Sequence, residues 1–205
     1  TSFHQGAQAI HFACTVPGSS GRACVDFLAA SGADLGATNR AGGTPLHYAT
    51  DRNLTGVVER LMQQSDDALR AQLTSGAMLH LDAIGDTPIV RATRKRALGV
   101  LDILIAAHVR LGISLGEAIR IAAGYGFSEA LAALLSASDE AELSRDPQGR
   151  TALHLAAQYG HESCVRLLLR HPSFQTALDD AAEAGRTPLH HAAFFGRTQA
   201  VERTR

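Results

Sequence analysis

The chain has no tryptophan, and Lys95 is the only lysine among its 19 basic residues. Aromatics make up 5% of the 205 residues, and there are 2 methionines and 3 cysteines. So small an aromatic share excludes a core built on large rings and favours short, closely packed helices rich in alanine. The cysteines, Cys14, Cys24 and Cys164, are odd in number and stand at no metal-ligand spacing, which points away from a disulfide-framed domain and towards free thiols in an intracellular protein, cytoplasmic or nuclear. No run of about 18 uninterrupted apolar residues is present, so no membrane-spanning helix is expected. A formal net charge of −1 removes general attraction to nucleic acid or to an acidic membrane. Disorder is excluded by a hydrophobic share of 45%. The chain begins at Thr1 and not at Met, which reads as a piece of a longer protein.

What the sequence does contain is a repeat. Thr44-Pro45-Leu46-His47-Tyr48-Ala49-Thr50 aligns with Thr151-Ala152-Leu153-His154-Leu155-Ala156-Ala157 and with Thr187-Pro188-Leu189-His190-His191-Ala192-Ala193. Weaker copies begin at Gln8, Thr87 and Glu117, and the steps between successive copies are 36, 43, 30, 34 and 36 residues. Each copy has the same local grammar. A threonine stands where a helix needs an N-cap, and proline follows at the first helical position, where its missing N–H costs nothing. Paired small residues then give the helix a face that neighbours can approach closely. A glycine closes it at Gly126, Gly160 and Gly196. A second apolar helix follows, as at 130–135 and 164–169, and then a polar turn such as Asp146-Pro147-Gln148-Gly149-Arg150 or Asp82-Ala83-Ile84-Gly85-Asp86.

On these residues the chain resembles the ankyrin repeat family, with its Thr-Pro-Leu-His signature, and the resemblance covers residues 3–205. It implies an all-α solenoid of about six helix-turn-helix repeats in a single domain, at roughly 3–38, 39–81, 82–111, 112–145, 146–181 and 182–205. It also implies that the signature histidines His11, His47, His154 and His190 are buried and hydrogen-bonded to the backbone near the next turn. Departures from the pattern carry expectations of their own. The spacing between Met62 and Thr87 is about ten residues too long, and residues 65–73 read as an extra short helix inserted between the second and third repeats. The stretch from Ile105 to Glu117 is too short for a full hairpin turn ahead of the fourth copy. The last repeat reads as incomplete, because residues 201–205 end before any Leu-Leu pair.

Such repeats present variable side chains on a fixed scaffold, which suits a protein or peptide partner held in the concave groove and by the turn tips. The residues this marks for contact are Arg52, Arg91, Arg94, Lys95, Tyr125, Arg150, Gln158, Tyr159, Arg186, Phe194 and Phe195, with Glu183 at a turn tip; aromatic and arginine side chains are the usual interface anchors. Arg91, Arg94 and Lys95 share a helical face at i, i+3 and i+4, a cationic cluster suited to an acidic partner. Nucleic acid, membrane and small-molecule substrate are not expected. Nor is catalysis. His190 and His191 near Asp179 and Asp180 point different ways on a helix, and Cys164 beside Glu162 and His161 falls where an apolar core residue belongs. Residues 124–126 do not open the helix that a phosphate loop requires. His4, His11, His80 and His108 lack metal-ligand spacing, and no cofactor is implied. The alternative is a regulatory or targeting ankyrin domain attached to an enzyme in the remainder of a longer chain.

Overall fold

The computed structural model describes residues 6–62, 78–138, 144–179, 181–182 and 185–196. The expected extra helix at 65–73 and the last copy's second helix at 201–205 lie outside the described residues, as do His4, Asp180 and Glu183. The described residues form helices and turns, with no strand among them. They fall into two compact parts, 1–107 and 108–205.

The first part holds α1 (Ala9–Ala13), α2 (Gly18–Ala30), α3 (Pro45–Asp51), α4 (Thr55–Met62) and α5 (Pro88–Lys95), and α6 (Leu98–Leu111) runs across the dividing point. The N-cap logic of the sequence is realised at α3: Thr44 Oγ1 accepts from His47 N, and Pro45 takes the first helical position. Thr87 and Pro88 do the same for α5. α3 packs against α1 on one side and α5 on the other, with α2 and α4 forming a second layer. The packed first helices each carry an alanine five positions after the start of their copy. Ala13, Ala49 and Ala92 are all buried, leaving no side chain to hold the backbones apart.

The second part holds α7 (Gly116–Tyr125), α8 (Ser128–Ser136), α9 (Ala152–Tyr159), α10 (Glu162–Arg170), α11 (Pro172–Gln175), a 3₁₀ turn (Thr176–Asp179) and α12 (Pro188–Phe194). Here α9 lies between α7 and α12, and α10 packs on α8. The same alanine position is filled by Ala122, Ala156 and Ala192, each fully buried. The second helices close the core with Leu131, Leu134, Val165 and Leu168.

Between repeats the chain makes tight hairpin fingers with one hydrogen-bond pattern. Asn39 N donates to Gly43 O, Asp82 N to Asp86 O, Asp146 N to Arg150 O and Ala182 N to Arg186 O. In the first three the leading side chain accepts two further backbone N–H groups: Asn39 Oδ1 from Ala41 and Gly43, Asp82 Oδ1 from Ile84 and Asp86, Asp146 Oδ1 from Gln148 and Arg150. No such finger precedes α7. After α6 the chain turns at Gly112, whose φ is 65°, and starts α7 within four residues.

Candidate docking surface

Counting from the first residue of each copy (Gln8, Thr44, Thr87, Glu117, Thr151 and Thr187) as zero, the signature histidine is at position three. Thr44 N donates to His47 Nδ1 at 3.2 Å, which fixes the tautomer, so Nε2 carries the proton and donates to Asp86 O at 3.1 Å in the following finger. His11 reaches Gly43 O and His154 reaches Arg186 O at the same 3.1 Å. All three rings are buried. Burial lowers the pKa of His47 to about 4 against the opposing effect of its bond to the Asp86 carbonyl, and it also lowers that of His11. His190 departs from the expectation. Thr187 N donates to its Nδ1 at 3.3 Å, but the ring is exposed. The carbonyls reached by the other three lie 32 to 39 residues ahead.

Position four explains Arg91. In other copies this slot holds Tyr48, Ile121, Leu155 and His191, which are buried, and Phe12, which is exposed. Arg91 fills it with a side chain only 11% exposed, and its charge is met from inside the fold. Its Nε and Nη2 reach Asp51 Oδ1 and Oδ2 at 2.6 and 2.8 Å, and Nη1 pairs with Asp82. Burial alone would lower the guanidinium pKa, but the bonds and charges of Asp51 and Asp82 reverse this and raise it. Asp82 shows the opposite balance. Burial raises its pKa, and the backbone N–H groups of Asp86 and Ile84, with Arg91, bring it below the usual carboxylate value. Asn39 Nδ2 donating to the Tyr48 hydroxyl at 3.0 Å is the same finger-to-position-four contact in uncharged form.

Position seven is drawn inward in the third and fifth copies, whereas Phe194 fills it in the sixth and is exposed. Arg94, half-buried, donates through Nε to Asp86 at 2.9 Å. In the fifth copy the partners are exchanged. Arg150 of the finger donates to Gln158 Oε1 at 3.1 Å and to Asp146 at 2.8 Å, and Gln158 is buried. Arg91, Arg94, Arg150 and Gln158 are therefore engaged by neighbouring finger and helix groups.

Position eight is different. Arg52, Lys95, Tyr125, Tyr159 and Phe195 occupy it, and every one is exposed. The residue after it is left-handed in each case: Asn53 (φ 51°), Arg96 (φ 55°), Gly126 (φ 73°), Gly160 (φ 74°) and Gly196 (φ 65°). That conformation ends the helix and leaves the preceding side chain facing outward. The first part thus offers cations here and the second part aromatics. In the second part, Tyr125 and Tyr159 are 52% and 48% exposed, Phe194 and Phe195 72% and 45%. Arg186 lies 5.6 Å over the Phe194 ring.

Two residues of this surface go unmarked in the sequence reading, Phe127 and His161, each two places after position eight. Phe127 stacks on Tyr125 with centroids 5.6 Å apart. The His161 ring sits 6.2 Å from Tyr159, and its Nε2–H reaches Gly124 O at 3.1 Å. A Cβ on Gly126 would fall 2.6 Å from His161 Nδ1, so glycine is required there for space as well as for φ. The legible signal was the repeated aromatic or imidazole after the closing glycine.

The described residues contain no group of three or more His, Cys, Asp or Glu able to hold a metal ion, and no helix among them is long and apolar enough to cross a membrane. Against known families, the profile for Ankyrin repeats (3 copies) matches residues 4–114 and 119–203. The chain belongs to the ankyrin repeat family. Among solved structures, the ankyrin domain of Bcl-3 superposes with a TM-score of 0.71 at 22% identity, covering 98% of this chain and 86% of that one. An ankyrin repeat domain from Acinetobacter baumannii gives 0.70 at 22% identity over 95% of both chains. A structure of the Bdellovibrio bacteriovorus predatory endopeptidase Bd0816 in complex with the immunity protein Bd3460 gives 0.68 at 19% identity over 98% of both. These likenesses fix the fold as an all-helical stack of helix-turn-helix repeats, and the repeats of the matched family are in general modules of protein interaction and not of catalysis. An L-asparaginase of Dirofilaria immitis is 29% identical over 79% of this chain and 26% of its own length. The human transient receptor potential cation channel subfamily A member 1 is 26% identical over 86% of this chain and 18% of its own length. The chain thus spans about a quarter or less of these two relatives.

Proposed function

We propose that this ankyrin-repeat chain is a non-catalytic interaction module, which holds a protein or peptide partner of net negative charge through the groove side of its first helices and its finger tips. One observation carries the reading. Arg91, Arg94 and Gln158, at positions four and seven, are committed to internal pairs, whereas position eight is exposed in all five copies where it is Arg, Lys, Tyr or Phe. On this reading Arg52 and Lys95 are the cationic contacts of the first part. Tyr125, Tyr159, Phe194, Phe195 and Arg186 are the anchors of the second. Rim cations speed encounter and select charge, and aromatic anchors supply most of the affinity. The three free thiols support an intracellular site of action.

Selection of a displayed random-peptide library on the immobilised chain tests this. Enriched peptides are expected to be net acidic with an apolar anchor, to bind more weakly as salt rises, and to lose about 1–2 kcal/mol with Tyr159→Ala. Ser163→Ala, on the exposed outer face of α10, is the control. Enrichment of basic peptides, or binding indifferent to Tyr159, would sink the proposal.

The second reading, a regulatory or targeting domain within a larger enzyme, is favoured by the L-asparaginase match, of which this chain corresponds to 26%. Mass determination of the endogenous protein tests it: a product near 21.6 kDa would count against it.

A further inference from the structure

The second part repeats one arrangement three times. Tyr125 closes α7, Tyr159 closes α9 and Phe195 follows α12, all at position eight and all exposed, with α9 packed between the other two helices. Each has a second ring beside it: Phe127 stacked on Tyr125, His161 near Tyr159, and Phe194 edge-on to Phe195 at 5.1 Å. The bond from His161 to the Gly124 carbonyl ties the first rung to the second. Packed helices lie about 8–10 Å apart, which sets the distance between rungs.

That spacing discriminates between backbone conformations of a bound peptide. A β-strand offers one face every second residue, about 6.6 Å, which is too short. An α-helix offers a turn every 5.4 Å and matches only when two turns are skipped together. Polyproline II advances about 9.3 Å in three residues, one side chain per rung. Strand addition also lacks a template, because the described residues contain no sheet edge. Flat rings with phenolic O–H groups suit proline faces and the solvated carbonyls of that conformation. Charge complementarity sets the direction of the chemistry at one end, where the Arg186 guanidinium lies over the third rung.

Resting on the reading of this face as the docking surface, we infer that its partner is an extended peptide in polyproline II conformation. It carries Pro or another apolar residue at i, i+3 and i+6, with a carboxylate beside the residue that meets Phe194 and Phe195. Fluorescence anisotropy of labelled synthetic peptides with the whole chain tests this. One peptide is acidic with prolines at i, i+3 and i+6; the second has the same composition with prolines at i, i+2 and i+4; the third is acidic with leucines at i, i+3, i+4 and i+7. The first is expected to bind at least ~10-fold more tightly than either other, and to lose at least ~10-fold with Tyr159→Ala, checked as folded by circular dichroism. Equal or tighter binding of the second or third peptide, still lost with Tyr159→Ala, overturns the polyproline inference and leaves the docking surface standing. Failure of the first peptide to bind also overturns the inference. Binding of any peptide that ignores Tyr159 overturns both.

Discussion

Arg91 and Arg52 look alike in the sequence, two arginines on the exposed arc of repeat helices, and the fold gives them opposite duties. Arg91 neutralises Asp51 and Asp82 from a nearly closed site, so Arg91→Ala strands two carboxylates. A loss of about 3 kcal/mol in urea unfolding is expected, against under about 0.5 kcal/mol for Arg52→Ala. The cationic face at i, i+3 and i+4 was legible, but its counter-charges were not. Asp51 stands 40 residues before Arg91 and belongs to the previous repeat, so only the stacking brings them together. Thiol chemistry sorts the same way. Burial lifts the pKa of Cys14 to about 12 and of Cys164 to about 11, while Cys24 is exposed. Titration of the native protein with a thiol reagent should label Cys24 rapidly and the other two only on unfolding.

At the scale of single elements, the fingers differ in how well their leading residue serves them. Asn39, Asp82 and Asp146 each accept two backbone N–H groups, and Ala182 has no side-chain oxygen to do so. Ala182→Asp should therefore stabilise the chain by about 1 kcal/mol, read as a shift in thermal midpoint. The absence of a finger before α7 was legible from spacing alone, as were the caps at Thr44, Thr151 and Thr187. The exposure of His190 was not, because the signature names the donor while burial depends on the covering finger. The third and fourth copies replace the histidine by Val90 and Arg120, and Arg120 Nε is buried without a partner. Amide exchange should accordingly be faster in α5 and α7 than in α3 and α9. Uniform protection across the four helices would contradict that ranking.

For the molecule as a whole, the buried imidazoles set its response to acid. A group whose folded pKa is depressed holds its contribution above the unfolded value and loses it as pH falls through the interval between the two. For His47 that interval runs from the ordinary 6.5 down to about 4, and His11 and His191 are shifted in the same direction. Stability should decline steadily below about pH 6.5. NMR titration of the His47 ring in the folded protein should show no protonation at pH 6. An inflection near 6.5 would remove the imidazoles as the cause.

The histidine links also bear on how the polypeptide is made. Each joins a donor to a carbonyl only 32 to 39 residues downstream, so no link needs the far end of the chain. At ribosomal speeds of about 5–20 residues per second, a signature histidine waits roughly 2–8 seconds for its acceptor to be synthesised. His11 can engage Gly43 while most of the protein is still untranslated, and His47 can follow with Asp86. The product is secured in instalments from its amino end, and a pause in translation after Val90 would fall where no such fastening is due.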